Sequence, residues 1–108
     1  MISILIVDDE VKIVSSLEKL MHRLPVPSIQ VFKATSAHEA MDILQTEKIH
    51  IVLSDIRMPG MSGLEMHQEI VKRWPLCKVI FLTGYSDFGY IQSALRNGAV
   101  DYLMKTED

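Results

Sequence analysis

At 108 residues the chain has room for one domain with one sizeable core, and too little for two. Apolar residues at 48 % and charged residues at 23 % are the proportions of a soluble folded domain and exclude intrinsic disorder. A net charge of −3 argues against a nucleic-acid surface, and a single cysteine, Cys77, excludes a disulfide framework and a multi-cysteine zinc site.

In chain order, the run Ile4-Leu5-Ile6-Val7 predicts a first strand. It is continuously apolar rather than alternating, which predicts burial on both faces, as in a parallel sheet. Val11, Val14, Leu17, Leu20 or Met21, and Leu24 then form a helical stripe, broken at Pro25-Val26-Pro27. Ile29 to Phe32 predicts the second strand. Ser36-Ala37-His38-Glu39 spells a capping box, opening a helix with Ala37, Ala40, Met41 and Leu44 on one face. Ile49 to Leu53 predicts the third strand. Ser62-Gly63-Leu64-Glu65 spells a second capping box; its stripe is Leu64, His67, Ile70 or Val71, and Trp74, and Trp74-Pro75 stops it. Val79 to Leu82 predicts the fourth strand. Phe88, Ile91, Ala94 and Leu95 predict a fourth helix ending at Asn97-Gly98, and Tyr102-Leu103-Met104 a short fifth strand. The four histidines do not cluster at ligand spacing and are expected at the surface or its boundary; Cys77 is expected to be a small, partly buried filler. No apolar run is long enough for a membrane span, and Met1-Ile2-Ser3 lacks the pattern of a signal peptide, so a cytoplasmic setting is expected.

Alternating strands and helices predict a parallel sheet with helices on both faces, and such sheets bind ligands beyond the carboxyl ends of their strands. Four of the five predicted strand ends carry polar groups: Asp8-Asp9-Glu10, Asp55, Thr83 and Lys105. Clustered carboxylates need a counter-charge, and a hard divalent cation such as Mg²⁺ is the natural one. A lysine suits a phosphate as a point charge, and a threonine hydroxyl adds a neutral donor. Together these groups make a phosphoryl-transfer set in which an aspartate can act as nucleophile.

The blocks Ile4-Leu5-Ile6-Val7-Asp8-Asp9-Glu10, Val52-Leu53-Ser54-Asp55-Ile56-Arg57-Met58-Pro59-Gly60-Met61-Ser62-Gly63, Phe81-Leu82-Thr83-Gly84 and Gly98 to Lys105 stand in an order and spacing that resembles the receiver domain of bacterial two-component response regulators. The resemblance implies a flavodoxin-like doubly wound α/β fold with a five-stranded parallel sheet in the order 2-1-3-4-5. Four helices are expected, with the family's fifth helix missing, because only Glu107-Asp108 remain to begin it; residues 1–108 then read as a receiver domain trimmed before that helix. It implies that Asp55 is the phosphoacceptor, that Asp8, Asp9, Asp55 and the Arg57 backbone carbonyl bind Mg²⁺, and that Thr83 and Lys105 contact the phosphoryl oxygens. Thr83 and Tyr102 would form the switch. The phosphodonor would be a sensor histidine kinase or a phosphotransfer protein. A homodimer through the fourth-helix and fifth-strand face is expected to be open to this domain. DNA would be reached only through an effector domain that these residues do not contain, and no membrane is involved. The domain would be a signalling switch that catalyses its own phosphorylation and hydrolysis rather than an enzyme in the ordinary sense.

The stretch Thr83-Gly84-Tyr85-Ser86-Asp87-Phe88 with Ala99 to Leu103 further resembles receivers joined to AraC-type DNA-binding domains. Gly84 is expected to leave access to the acceptor for small phosphodonors and water. One departure is Thr106, where the family commonly has proline, often with a cis bond; a non-prolyl cis bond costs about 2.5–4 kcal/mol, so a trans peptide is expected. Three rivals stand beside this reading. A phosphatase or phosphomutase with an aspartate nucleophile would want Asp-x-Asp after the first strand. A flavodoxin-like cofactor binder would be repelled from the acidic Asp8-Asp9-Glu10 by its own phosphate. A receiver-fold interaction module would go unphosphorylated.

Overall fold

The first strand, β1 (Ile2–Val7), is buried continuously from Ser3 to Val7. Leu5 and Val7 join one core and Ile4 and Ile6 another, the period of two expected of a strand. A strand can bury consecutive side chains only when both faces of its sheet are covered. The computed structural model describes residues 1–25, 28–83, 96 and 101–104. After β1 the chain runs through α1 (Val11–His22), β2 (Ile29–Ala34), α2 (Ala37–Thr46), β3 (Ile51–Asp55), α3 (Gly63–Arg73), β4 (Lys78–Thr83) and β5 (Asp101–Met104). Among the described residues all four strand pairings are parallel, in the order β2-β1-β3-β4-β5. Of the predicted fourth helix only Arg96 is among the described residues, and it is helical.

Helices cover both faces. Ala37, Ala40, Met41 and Leu44 of α2, with Met66 and Ile70 of α3, pack with Leu5, Val7, Val52 and Phe81 on one side. Val14 of α1, with Leu17 and Met21 beside it, packs with Ile4, Ile6 and Leu53 on the other. The α2 stripe lies where its spacing predicted. The α1 stripe is narrower: Val11, Leu20 and Leu24 are exposed. Met21, not Leu20, completes the Val14–Leu17 line, because Leu20 lies one residue, about 100°, off it. On α3, Ile70 is buried and Val71 exposed, and the unpredicted Met66 is fully buried.

Strand limits extend past their apolar runs. Strand β2 continues through Lys33 and Ala34, which pair with Ile6 and Val7. Strand β3 begins at Ile51 rather than Ile49, and Asp55 is its last residue rather than the one after it, in register with Leu82. Ser54 and Asp55 carry no apolar signal, yet their backbones still find partners on neighbouring strands.

The two capping boxes differ. At α3, Ser62 Oγ accepts from the Glu65 N–H and the Glu65 carboxylate accepts from the Ser62 N–H, both at 3.2 Å. At α2, Ser36 Oγ accepts from the Glu39 N–H at 3.1 Å, but the Glu39 carboxylate accepts from the Thr35 N–H at 3.3 Å, one residue before the cap. The second half of that box is therefore displaced outward by one peptide.

Candidate functional site: an acidic cluster at the strand ends

The strand order reverses at β1, which lies between β2 and β3. The crevice at such a reversal opens beyond the carboxyl ends of the strands, here at Asp8 and Asp55. The Asp8 N–H extends the ladder by donating to the Ala34 carbonyl at 3.2 Å. One Asp8 carboxylate oxygen accepts from the Glu10 N–H at 2.9 Å, an aspartate turn that leads the chain into α1. Asp8 is fully buried, Asp9 is exposed, and Asp55 retains 5 % of its exposure. Each of the three offers one carboxylate oxygen within 4.8 Å of the other two.

Three carboxylates this close, two of them withdrawn from water, repel one another strongly unless a positive charge is placed among them. Oxygen donors only, several of them anionic and on rigid strand ends, suit a small hard divalent cation that also keeps waters. The residues therefore fit Mg²⁺ in donor chemistry and in mutual spacing.

The loop after Asp55 is anchored rather than free. Ile56 and Met58 are buried in the α2/α3 core, and Gly60 turns the chain at a positive φ of 78°. The Gly63 N–H donates to the Ile56 carbonyl at 2.7 Å, tying the first residue of α3 back to the loop. An open groove of about 420 Å³ follows this loop, lined by Ile56, Arg57, Met58, Pro59, Ser62 and Leu64. Arg57 is exposed on the same loop.

Of the other predicted site residues, Thr83 ends β4 in backbone register with Met104, and Tyr102 lies in β5 opposite Phe81. Lys105, Gly84 and Thr106 lie outside the described residues. The strand ends thus bring Asp8, Asp9 and Asp55 together, and the backbone carries Thr83 to the same edge of the sheet.

Two residues touching Asp55 had no predicted role there. The Ser54 hydroxyl, fully buried, donates to the Asp55 carbonyl at 2.8 Å. Gly63, expected in a helix cap and in the receiver-like block but with no role at Asp55, packs directly against the Asp55 and Ile56 backbone. The available signal was a polar Ser-Asp pair closing an apolar run, and a glycine at the first position of a capped helix, where side chains are normally welcome.

His67 lies on the predicted stripe of α3 but is 2 % exposed, not the surface or boundary residue expected of the histidines. It lies one turn after Gly63 and meets the Phe81 ring edge-to-face at 5.6 Å. Burial holds its pKa below the usual 6.5, so it is a neutral core histidine near pH 7. Cys77 is half-buried as expected, and burial pushes its thiol up to about 11, which leaves it protonated and unreactive at neutral pH.

The model of the response regulator receiver domain matches residues 4–108. The chain belongs to that family. It is similar to the DNA-binding transcriptional regulator NtrC of Klebsiella pneumoniae, with 41 % identity over 95 % of this chain and 21 % of that protein. Among solved structures, a response regulator receiver domain protein from Clostridium thermocellum superposes with a TM-score of 0.87 at 31 % identity, covering 100 % of this chain and 85 % of the other. A two component transcriptional regulator AraC from Clostridium phytofermentans superposes with a TM-score of 0.82 at 33 % identity, covering 100 % and 84 %. The receiver spans 28 % of one Bacillus subtilis relative and 51 % of another, so the curated relatives extend well beyond the part it matches.

Proposed function

We propose that this receiver domain accepts a phosphoryl group on Asp55 from a sensor histidine kinase or a phosphotransfer protein, and that the new charge resets the surface it shows to an effector. The observation that carries this is the convergence of the Asp8, Asp9 and Asp55 carboxylates at the strand-order reversal. Asp8, Asp9 and Asp55, with the Arg57 backbone carbonyl, are the residues that would hold Mg²⁺. Bound there, the ion would neutralise the crowded carboxylates and the incoming phosphoryl oxygens.

In the transfer, an Asp55 carboxylate oxygen attacks phosphorus. The phosphorus–nitrogen bond of the donor phosphohistidine breaks, and its electron pair stays on the imidazole, which is protonated from solvent. Asp55 is suited to this because it is anchored at the end of a paired strand yet keeps a small exposed area for the donor. Thr83 and Lys105 would receive the phosphoryl oxygens, and Tyr102 would follow Thr83 inward. The same site would hydrolyse the acyl phosphate, returning the switch to rest.

The full architecture in this reading includes a fourth helix between β4 and β5, whose face with β5 would pair two copies or meet an effector. The effector in this reading is a DNA-binding domain in a longer chain, as in the NtrC relative, a DNA-binding transcriptional regulator, and the switch acts in the cytoplasm. Incubation with Mg²⁺ and acetyl phosphate, read by intact mass, tests the chemistry. One phosphoryl group on the wild type and none on Asp55→Asn is expected. Equal labelling of the two, or labelling of neither, contradicts it.

A further inference from the structure

Behind the carboxylate of Asp55 its backbone is held at two points, and neither belongs to the acidic cluster. The Ser54 hydroxyl donates to the Asp55 carbonyl at 2.8 Å, closing a small ring across two consecutive residues. Ser54 is fully buried, so its hydroxyl cannot exchange this acceptor for bulk water. From the other element, Gly63 abuts the same carbonyl. A Cβ built on Gly63 would overlap the Asp55 carbonyl oxygen and lie 3.0 Å from its carbon and 3.1 Å from the Ile56 Cα. The Gly63 N–H bond to the Ile56 carbonyl, at 2.7 Å, secures the next peptide. Gly63 is itself held by the capping box of Ser62 and Glu65 around it.

We propose that Ser54 and Gly63 are positioning residues for the acceptor: a buried hydroxyl and a side-chain-free helix start clamp the Asp55 peptide so that its carboxylate meets those of Asp8 and Asp9. The inference rests on Asp55 being the acceptor. Its physical basis is that a carboxylate at a strand end keeps its direction only if the backbone dihedrals of its own residue are fixed. Ladder pairing stops at Asp55, so contacts outside the ladder contribute to the fixing. Positioning errors near 1 Å cost reaction rate even when all reacting groups are present.

The variants are Ser54→Ala, Ser54→Thr and Gly63→Ala. Each is measured for thermal unfolding, for Mg²⁺ affinity by amide-shift titration of Asp8, Asp9 and Asp55, and for labelling rate with acetyl phosphate. Ser54→Ala is expected to stay folded while losing about three- to tenfold in Mg²⁺ affinity and labelling rate, the scale of one lost hydrogen bond. Ser54→Thr, which keeps the hydroxyl, is expected to recover most of the loss. Gly63→Ala, if folded, is expected to lose more than Ser54→Ala. A folded Ser54→Ala with wild-type Mg²⁺ affinity and labelling, whatever its melting temperature, overturns the clamp and leaves the acceptor reading standing. A wild type that shows neither Mg²⁺-dependent shifts nor labelling overturns the acceptor reading and the clamp together.

Discussion

Two strand-to-helix junctions meet at the acidic cluster, and they are built in opposite ways. The β3–α3 junction is closed. A full capping box starts its helix, Gly63 is packed on the Asp55 backbone, and Met66 and His67 one turn on and Ile70 two turns on are buried. The β1–α1 junction is open. At Glu10 no side-chain capping bond closes the start of α1, the first turn carries no acid, and Asp9 and Val11 face solvent. The aspartate turn at Asp8 orders it, together with the Asp8 N–H bond to the Ala34 carbonyl. One side of the site is thus packed closely around Asp55, and the other carries the exposed Asp9 beside the buried Asp8. That division suits a switch, in which the acceptor must be presented rigidly while its surroundings respond.

The comparison can be broken at several points, ranked by expected cost. Gly63→Val forces a branched side chain into the Asp55 carbonyl and should cost about 3 kcal/mol or more, read by denaturant unfolding. An equally large loss from Val11→Ala at the open junction would erase the contrast. Next is the proton dependence of the closed side. Because burial lowers the folded-state pKa of His67 below 6.5, the unfolded chain takes the proton first as pH falls. Stability should therefore decline below about pH 6.5, by up to about 1.4 kcal/mol per pH unit, until the folded-state pKa is reached. Unfolding curves at several pH values should be flatter in this window for His67→Leu.

Ser62→Ala removes half of the capping box and should cost about 1 kcal/mol. Ser36→Ala, at a cap away from the site, should cost a similar amount. Only the Ser62 variant should also slow acetyl phosphate labelling, which separates a cap that serves the site from one that serves a helix. Smallest is Asp9→Asn. An exposed group on the open junction should change stability by no more than about 0.5 kcal/mol, yet should weaken Mg²⁺ binding. A large stability loss there would mean that the open side is structurally closed after all.

The parts legible in the sequence are those with a one-dimensional signature. The continuous run before Asp8 announced a doubly covered strand. The stripe Ala37, Ala40, Met41 and Leu44 announced which side of α2 is buried. Blocks ending in Asp8-Asp9 and Asp55 placed the acids at strand ends. The parts not legible depend on how elements sit against each other. Whether Leu20 or Met21 faces the sheet is a matter of helix rotation, which a stripe with both options cannot decide. His67 fell on the apolar stripe of its helix, but its residue type pointed to the surface; in the fold it packs onto Phe81. The contact between Gly63 and Asp55 joins residues of two elements, and no local spacing encodes it. Lys105 and Gly84 lie outside the described residues.

The central claim is that the open and closed junctions form one cation site around the acceptor. Titrating Mg²⁺ into the isotope-labelled wild-type chain, and following backbone amides by two-dimensional NMR, tests it most directly. The amides of Asp8, Asp9 and Asp55 should shift together with a single dissociation constant, and the shifts should vanish in Asp55→Asn. Shifts confined to Asp9, or scattered over the exposed acids with Asp55 unmoved, would contradict it.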